Sequence, residues 1–207
     1  ARKISDSAFL DFRGLMGYEG HVLDIHPQSV KKIKCDQAID HLIDARDLLK
    51  EHNISCEIIS AGGTGSYEFT ANIAGVTEIQ AGGGIFMDAK YRDEFHVYSL
   101  DIALQLHASV TSRREGQIVT DAGFKALSSH HGKPSVTNWP CLSLNYLSAE
   151  HGVWSVDKNV DLPALGQRLT MTLGYTDSTT LLHTAFFGFR NGILEQIFPI
   201  EARGCLE

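Results

Sequence analysis

Two glycine clusters carry the clearest chemical signal in the chain. Residues 60–66 read SAGGTGS behind the apolar pair Ile58-Ile59, and residues 80–84 read QAGGG behind a second short apolar run. Glycine costs backbone entropy on folding, so its clustering marks a tight turn or a close approach to the backbone. Backbone N–H groups freed at a strand end can cradle a phosphate, most readily when a helix follows. Familiar single-loop patterns do not match. A Walker A loop needs Gly-Lys-Ser/Thr, which is absent, and GxGxxG counted from Gly63 meets Glu68 at its third glycine. Taken alone, either loop reads as a tight turn. The pair tilts the reading toward a shared anion.

Other residues that could do chemistry are more dispersed. His130-His131 precede a glycine, but neighbouring residues seldom point at one metal, so a surface turn is expected. Glu150-His151 would border a site or set the start of a strand, and Arg203 would be structural or at a site edge. Cys35, Cys56, Cys141 and Cys205 lie far apart without CxxC spacing, which predicts buried or free thiols in a reducing cytosol. The net charge of −7 argues against a nucleic-acid surface. No apolar stretch reaches the roughly 18–20 residues of a membrane span, and no secretory signal is seen.

The elements that must position these residues differ between the two halves. Ile39, Leu42, Ile43, Leu48 and Leu49 recur at helical spacing over residues 36–52, with Asp36 as a cap and Asn53 at the exit. Lys31-Lys32-Ile33-Lys34 is then expected to lie just before the helix as a solvated face. ISCEIIS and GVTEIQ read as short strands ending in the glycine loops, and Leu15-Met16 precede GYEGH in the same way. Strand–loop–helix repetition of this kind predicts parallel α/β units, whose chemistry sits at the carboxyl ends of the strands. Two adjacent strand-end loops sharing a phosphate is the arrangement after the last two strands of a (β/α) barrel. FLDFRGLMGYEGH reads like the middle of a barrel, so a fragment, a processed chain or partial coverage is expected. After about Asp93 the segments are β-branched and aromatic, EFHVYSLDIALQLHASVTSR, HGVWSVD and QRLTMTLGY among them. FRNGIL (residues 189–194) predicts a hairpin with a type I′ Asn-Gly turn, and a short helix is expected near residues 123–127.

GLMGYEGH, SAGGTGS, TEIQAGGGIFMDAKY, TDAGFKALS, AEHG and IFPIEARGC occur in this order. Together they resemble the D-threonine aldolase and D-serine dehydratase family of fold-type III pyridoxal-phosphate (PLP) enzymes, over its C-terminal part. The resemblance implies an α/β fold, the later part of an alanine-racemase-like (β/α) barrel over residues 1–95, then a mostly β C-terminal domain over residues 96–207. It implies that Gly62, Gly63 and Thr64 hold the cofactor phosphate with the backbone around Gly82 and Gly83. Tyr18 would line the cofactor pocket, with Gln80 and His21 as further candidates and Tyr67 as a packing residue that could face the site. A D-amino acid substrate, a homodimer and a cytoplasmic location follow from the same resemblance.

Two departures from the family pattern stand out. The Schiff-base lysine of such enzymes lies near their N-terminus in an Arg-Pro-His-x-Lys-type segment, and no match occurs here. Missing sequence is the favoured explanation, because half a barrel exposes strand edges and an open core. The family's His-x-Asp or His-x-Cys metal pair falls on LGYTDSTTLLH, with Tyr175 at the histidine position and Asp177 retained. A neutral phenol is a poor ligand for Zn²⁺ or Mn²⁺, so metal binding is expected to be weakened or absent. His183 would contribute only if the loop folded back. The leading expectation is a lyase acting on D-3-hydroxy amino acids. The alternatives are a non-catalytic PLP-binding protein without the Schiff-base lysine, or an amino-acid racemase.

Overall fold

The computed structural model describes residues 1–156 and 160–205; Asp157, which ends the HGVWSVD segment, lies outside them. The chain divides into two units, Ala1–Ile85 with Tyr91–Leu100, and Phe86–Lys90 with Asp101–Glu207.

The first unit opens with a helical turn, α1 (Arg2–Ser5), followed by strand β1 (Gly14–Met16) and helix α2 (Gln28–Glu51). Strand β2 (Ile58–Ala61), helix α3 (Tyr67–Thr70) and strand β3 (Glu78–Ile79) complete it. The strands form one parallel sheet in the order β1-β2-β3, with Met16 opposite Ser60 and Ala61 opposite Ile79. All three carboxyl ends therefore open on one side, as the α/β repetition predicts.

Helix α2 begins eight residues before the expected Asp36, with Pro27 at its N-cap. Lys31-Lys32-Ile33-Lys34 accordingly lies inside the helix, and Asp36 pairs with Lys32 one turn earlier at 2.6 Å. Leucine and isoleucine spacing hid this because the buried stripe is Lys31, Cys35 and Ile39, whose i, i+4, i+8 spacing includes a lysine and a cysteine. Lys31 is 1% exposed and donates from Nζ to the Phe95 carbonyl at 3.0 Å. Burial pulls its pKa below the ordinary lysine value. Ile39 is buried as expected, whereas Leu48 is exposed. The helix exits through His52 and Asn53, whose φ of 57° is the left-handed geometry the Asn anticipated.

In the second unit a six-stranded antiparallel sheet is built from β4 (Gln105–Arg114), β5 (Gln117–Thr120), β6 (Ser135–Val136), β7 (Ser143–Leu147), β8 (Gly152–Ser155) and β9 (Arg168–Thr172). Their order in the sheet is β6-β9-β4-β5-β8-β7. The core gathers inward-facing residues of several strands, including Val110, Ile118, Trp154, Leu169 and Met171. Trp154 is fully buried, and its indole N–H is satisfied by the Thr120 hydroxyl at 3.1 Å. Helix α4 (Thr176–Thr180) precedes the hairpin β10 (Ala185–Arg190) and β11 (Ile193–Pro199). The hairpin turn is the predicted one, with Asn191 at φ 51° and Gly192 at φ 78°.

The helix expected near residues 123–127 is instead a single turn, closed by the N–H groups of Ala126 and Leu127 on the Gly123 carbonyl. The neighbouring loop competes for its backbone: Phe124 and Lys125 donate to the carbonyls of Ser148 and Ala149. A side chain at Gly123 would sit 2.2 Å from the Ser148 oxygen. That contact needs glycine.

All four cysteines are free, and only Cys35 is fully buried. Burial, followed by the negative charge of Glu19, pushes its thiol up to about 11. Iodoacetamide at mildly alkaline pH should modify the exposed Cys141 and Cys205 but reach Cys35 only after unfolding, as peptide mass mapping would reveal. Thr120→Val should lower stability by about 1–3 kcal/mol in chemical denaturation, because it strands the buried indole N–H.

Candidate functional site

Three loops leave the carboxyl ends of β1, β2 and β3: residues 17–21, 62–66 and 80–84. Glu19 ties the first to the second. It is 1% exposed, accepts the Gly62 N–H on Oε2 at 3.3 Å and accepts the Thr70 hydroxyl on Oε1. Buried carboxylates need such donors, and here they come from both ends of the 62–70 segment. Gly62 has φ +75°, so the chain turns where only glycine turns freely. A Cβ on Gly63 would lie 2.7 Å from the Tyr18 ring, so that ring rests directly on the loop. Partial burial, then the charge of Glu19, pushes the Tyr18 phenol above its ordinary range.

Within this cradle Thr64 is the telling residue. It is 3% exposed, and its hydroxyl is buried with no hydrogen-bond partner. Buried hydroxyls are almost always paired, so this one is set up for an acceptor that is not part of the chain. The Cβ direction of Gly84 comes within 4.0 Å of the same hydroxyl, which brings the third loop to Thr64. Gly82 faces open space, with nothing within 4 Å of an added Cβ, whereas Gly83 is packed against the Tyr91 ring.

The remaining sequence candidates play varied parts. The N–H of Gly63 donates to the Ser66 hydroxyl at 3.2 Å and that of Gly62 to Glu19, so both hold the loop's own shape. Gln80 is exposed and donates from Nε2 to Ser60 Oγ at 2.8 Å, while Ser60 donates in turn to Glu78. His21 is exposed, and the Tyr67 hydroxyl meets Ser99 Oγ at 2.7 Å. Glu19 itself escaped sequence reasoning. Its one signal is a carboxylate set between glycines in GYEGH, where a surface residue would look the same.

In the second unit the Tyr175 hydroxyl donates to Asp177 Oδ2 at 2.7 Å. Lys90 Nζ stands 5.5 Å from the centre of the Tyr175 ring, and the His131 ring meets it edge-on at 5.8 Å. Among the described residues no three His, Cys, Asp or Glu side chains are grouped to hold a metal ion. His183 is committed elsewhere, with Nε2 at 2.8 Å from the Ala126 carbonyl. Glu150 pairs with Lys125, and Arg203 donates to the Leu181 carbonyl at 3.1 Å.

Residues 103–189 match a family model described as "Putative serine dehydratase domain". The chain is 33% identical over 207 residues to a D-threonine aldolase of Arthrobacter sp, covering 99% of this chain and 55% of that protein. It is also 33% identical over 203 residues to a 3-hydroxy-D-aspartate aldolase of Paracoccus denitrificans (strain Pd 1222), covering 94% and 52%. The crystal structure of D-threonine aldolase from Filomicrobium marinum superposes with a TM-score of 0.93 at 30% identity, over 100% of this chain and 57% of that one. The chain thus spans about half the length of the relatives it matches. The parallel strand–loop units, the β-rich second unit and these matches agree in making the chain similar to proteins of the D-threonine aldolase and D-serine dehydratase type, with their fold-type III, alanine-racemase-like fold.

Proposed function

We propose that the protein works as a PLP-dependent lyase on D-3-hydroxy amino acids, of the D-threonine aldolase or D-serine dehydratase type. The observation that carries this reading is the buried, unpartnered Thr64 hydroxyl at the meeting of two glycine loops. A phosphate oxygen is an acceptor that would complete it, and parallel strand ends are where such anions bind. The names of the relatives, aldolases of D-threonine and 3-hydroxy-D-aspartate, supply the substrate class.

Bound PLP supplies an electron sink for charge developing at the substrate's α-carbon. In this chain Thr64 would donate its hydroxyl to the phosphate, and the backbone around Gly82 and Gly83 would close on it. Gly62 and Gly63 keep the loop narrow, with their own N–H groups spent on Glu19 and Ser66. Glu19 anchors that loop to the one after β1, and Tyr18 packs over it as one wall of the pocket. Gln80, tied to Ser60, stiffens the junction between β2 and the third loop. Tyr175 and Asp177, bonded to each other, do not fit a divalent ion. Among the described residues no helix is long and apolar enough to cross a membrane. A cytoplasmic homodimer fits this reading.

The decisive assay supplies the protein, in its full-length form, with PLP and either D- or L-threonine. The reading expects glycine and acetaldehyde, or 2-oxobutanoate and ammonia, from the D-enantiomer alone. Absence of cleavage or elimination from D-threonine, D-serine and 3-hydroxy-D-aspartate at saturating PLP would overturn it. Thr64→Val should weaken PLP binding about tenfold in equilibrium dialysis, the loss of one hydrogen bond to a charged group.

A further inference from the structure

The resemblance to metal-bearing relatives places a divalent ion at residues 175 and 177, and the side chains found there disagree with it. One Asp177 oxygen already accepts the Tyr175 proton at 2.7 Å. A phenol that keeps its proton offers little to a divalent ion. A positive charge is also already present, because the Lys90 ammonium stands 5.5 Å from the Tyr175 ring centre, within cation–π range.

The backbone fixes this arrangement. Ala89 and Lys90 donate their N–H groups to the carbonyls of Leu173 and Gly174, which zips residues 88–90 alongside residues 173–176. Asp88 is fully buried and accepts both the N–H and the hydroxyl of Thr176, at 2.9 and 3.1 Å, pinning the residue between Tyr175 and Asp177. On the other side, Gly174 lies so close to Gly132 that a Cβ would meet the Gly132 oxygen at 2.2 Å. The same approach sets His131 edge-on to Tyr175. Lys90 is therefore brought to the ring by main-chain pairing as well as by its own reach.

We propose that Lys90, Tyr175 and Asp177 form a metal-free polar centre, in which the lysine ammonium supplies the positive charge and the phenol occupies the carboxylate that an ion would use. Charge repulsion from Lys90 and the committed Asp177 oxygen together exclude a divalent ion. The centre stands whether or not the catalytic reading above is correct, because its test counts metal rather than turnover.

The protein is equilibrated with Mn²⁺ or Zn²⁺ in turn and desalted, and the retained metal is counted by mass spectrometry and by calorimetric titration. The expected result is substoichiometric metal in the natural sequence and no change in Asp177→Asn. One equivalent in the natural sequence that disappears in Asp177→Asn would overturn the proposal. Tyr175→His combined with Lys90→Met should gain a Mn²⁺ site at least about tenfold tighter, which Asp177→Asn then abolishes. A folded double variant, checked by circular dichroism, that binds Mn²⁺ no better than the natural sequence would also sink the proposal.

Discussion

Glu19 is a carboxylate with almost no solvent contact, held by a backbone N–H of one strand-end loop and by a hydroxyl of the short helix beyond it. An ion in that position is tolerable only while its donors stay in place, since an unpaired buried charge costs several kcal/mol. The requirement runs both ways. Gly62 can sit at positive φ because its N–H has somewhere to go, and Thr70 is fixed at the far side of the loop by the same carboxylate. The glycine loop is thus a closed polar circuit drawn tight around Thr64, whose hydroxyl is left over. Tyr18, the neighbour of Glu19 in sequence, is carried into position over Gly63 by the same anchoring.

The second unit solves a similar problem without a buried site at its centre. Its core is aliphatic and aromatic, with Trp154 satisfied by Thr120. Asp88 caps the first turn of α4, a helix whose own residues, TDSTT, have little intrinsic reason to be helical. In both units, a buried carboxylate accepts a backbone N–H from a segment distant in sequence, Glu19 from Gly62 and Asp88 from Thr176.

Much of the architecture was legible in the residues. Strand–loop–helix repetition exposed the parallel sheet, the Asn-Gly pair located the hairpin, and Asn53 marked the end of α2. The start of α2 was not legible, because its buried stripe runs through Lys31, a residue type that normally signals solvent. The helix expected at residues 123–127 shortens to a turn because the Ser148 and Ala149 carbonyls, distant in sequence, capture the N–H groups of Phe124 and Lys125. For the candidate site, the glycine loops drew attention at once, but the carboxylate that shapes them did not. A Glu beside glycines looks the same whether it faces water or two buried donors. Only tertiary packing distinguishes the two.

The contact between Gly132 and Gly174 bears on how this surface can diverge. Either glycine, if given a Cβ, would strike the backbone of the other segment, so neither position can drift alone. Residue 175, one step along the chain, is held instead through its side chain, by Asp177, Lys90 and His131. The two glycines therefore fix the backbone from which the Tyr175 side chain projects. A substitution at 175 would thus change the chemistry displayed there while the glycine contact beneath it stays in place.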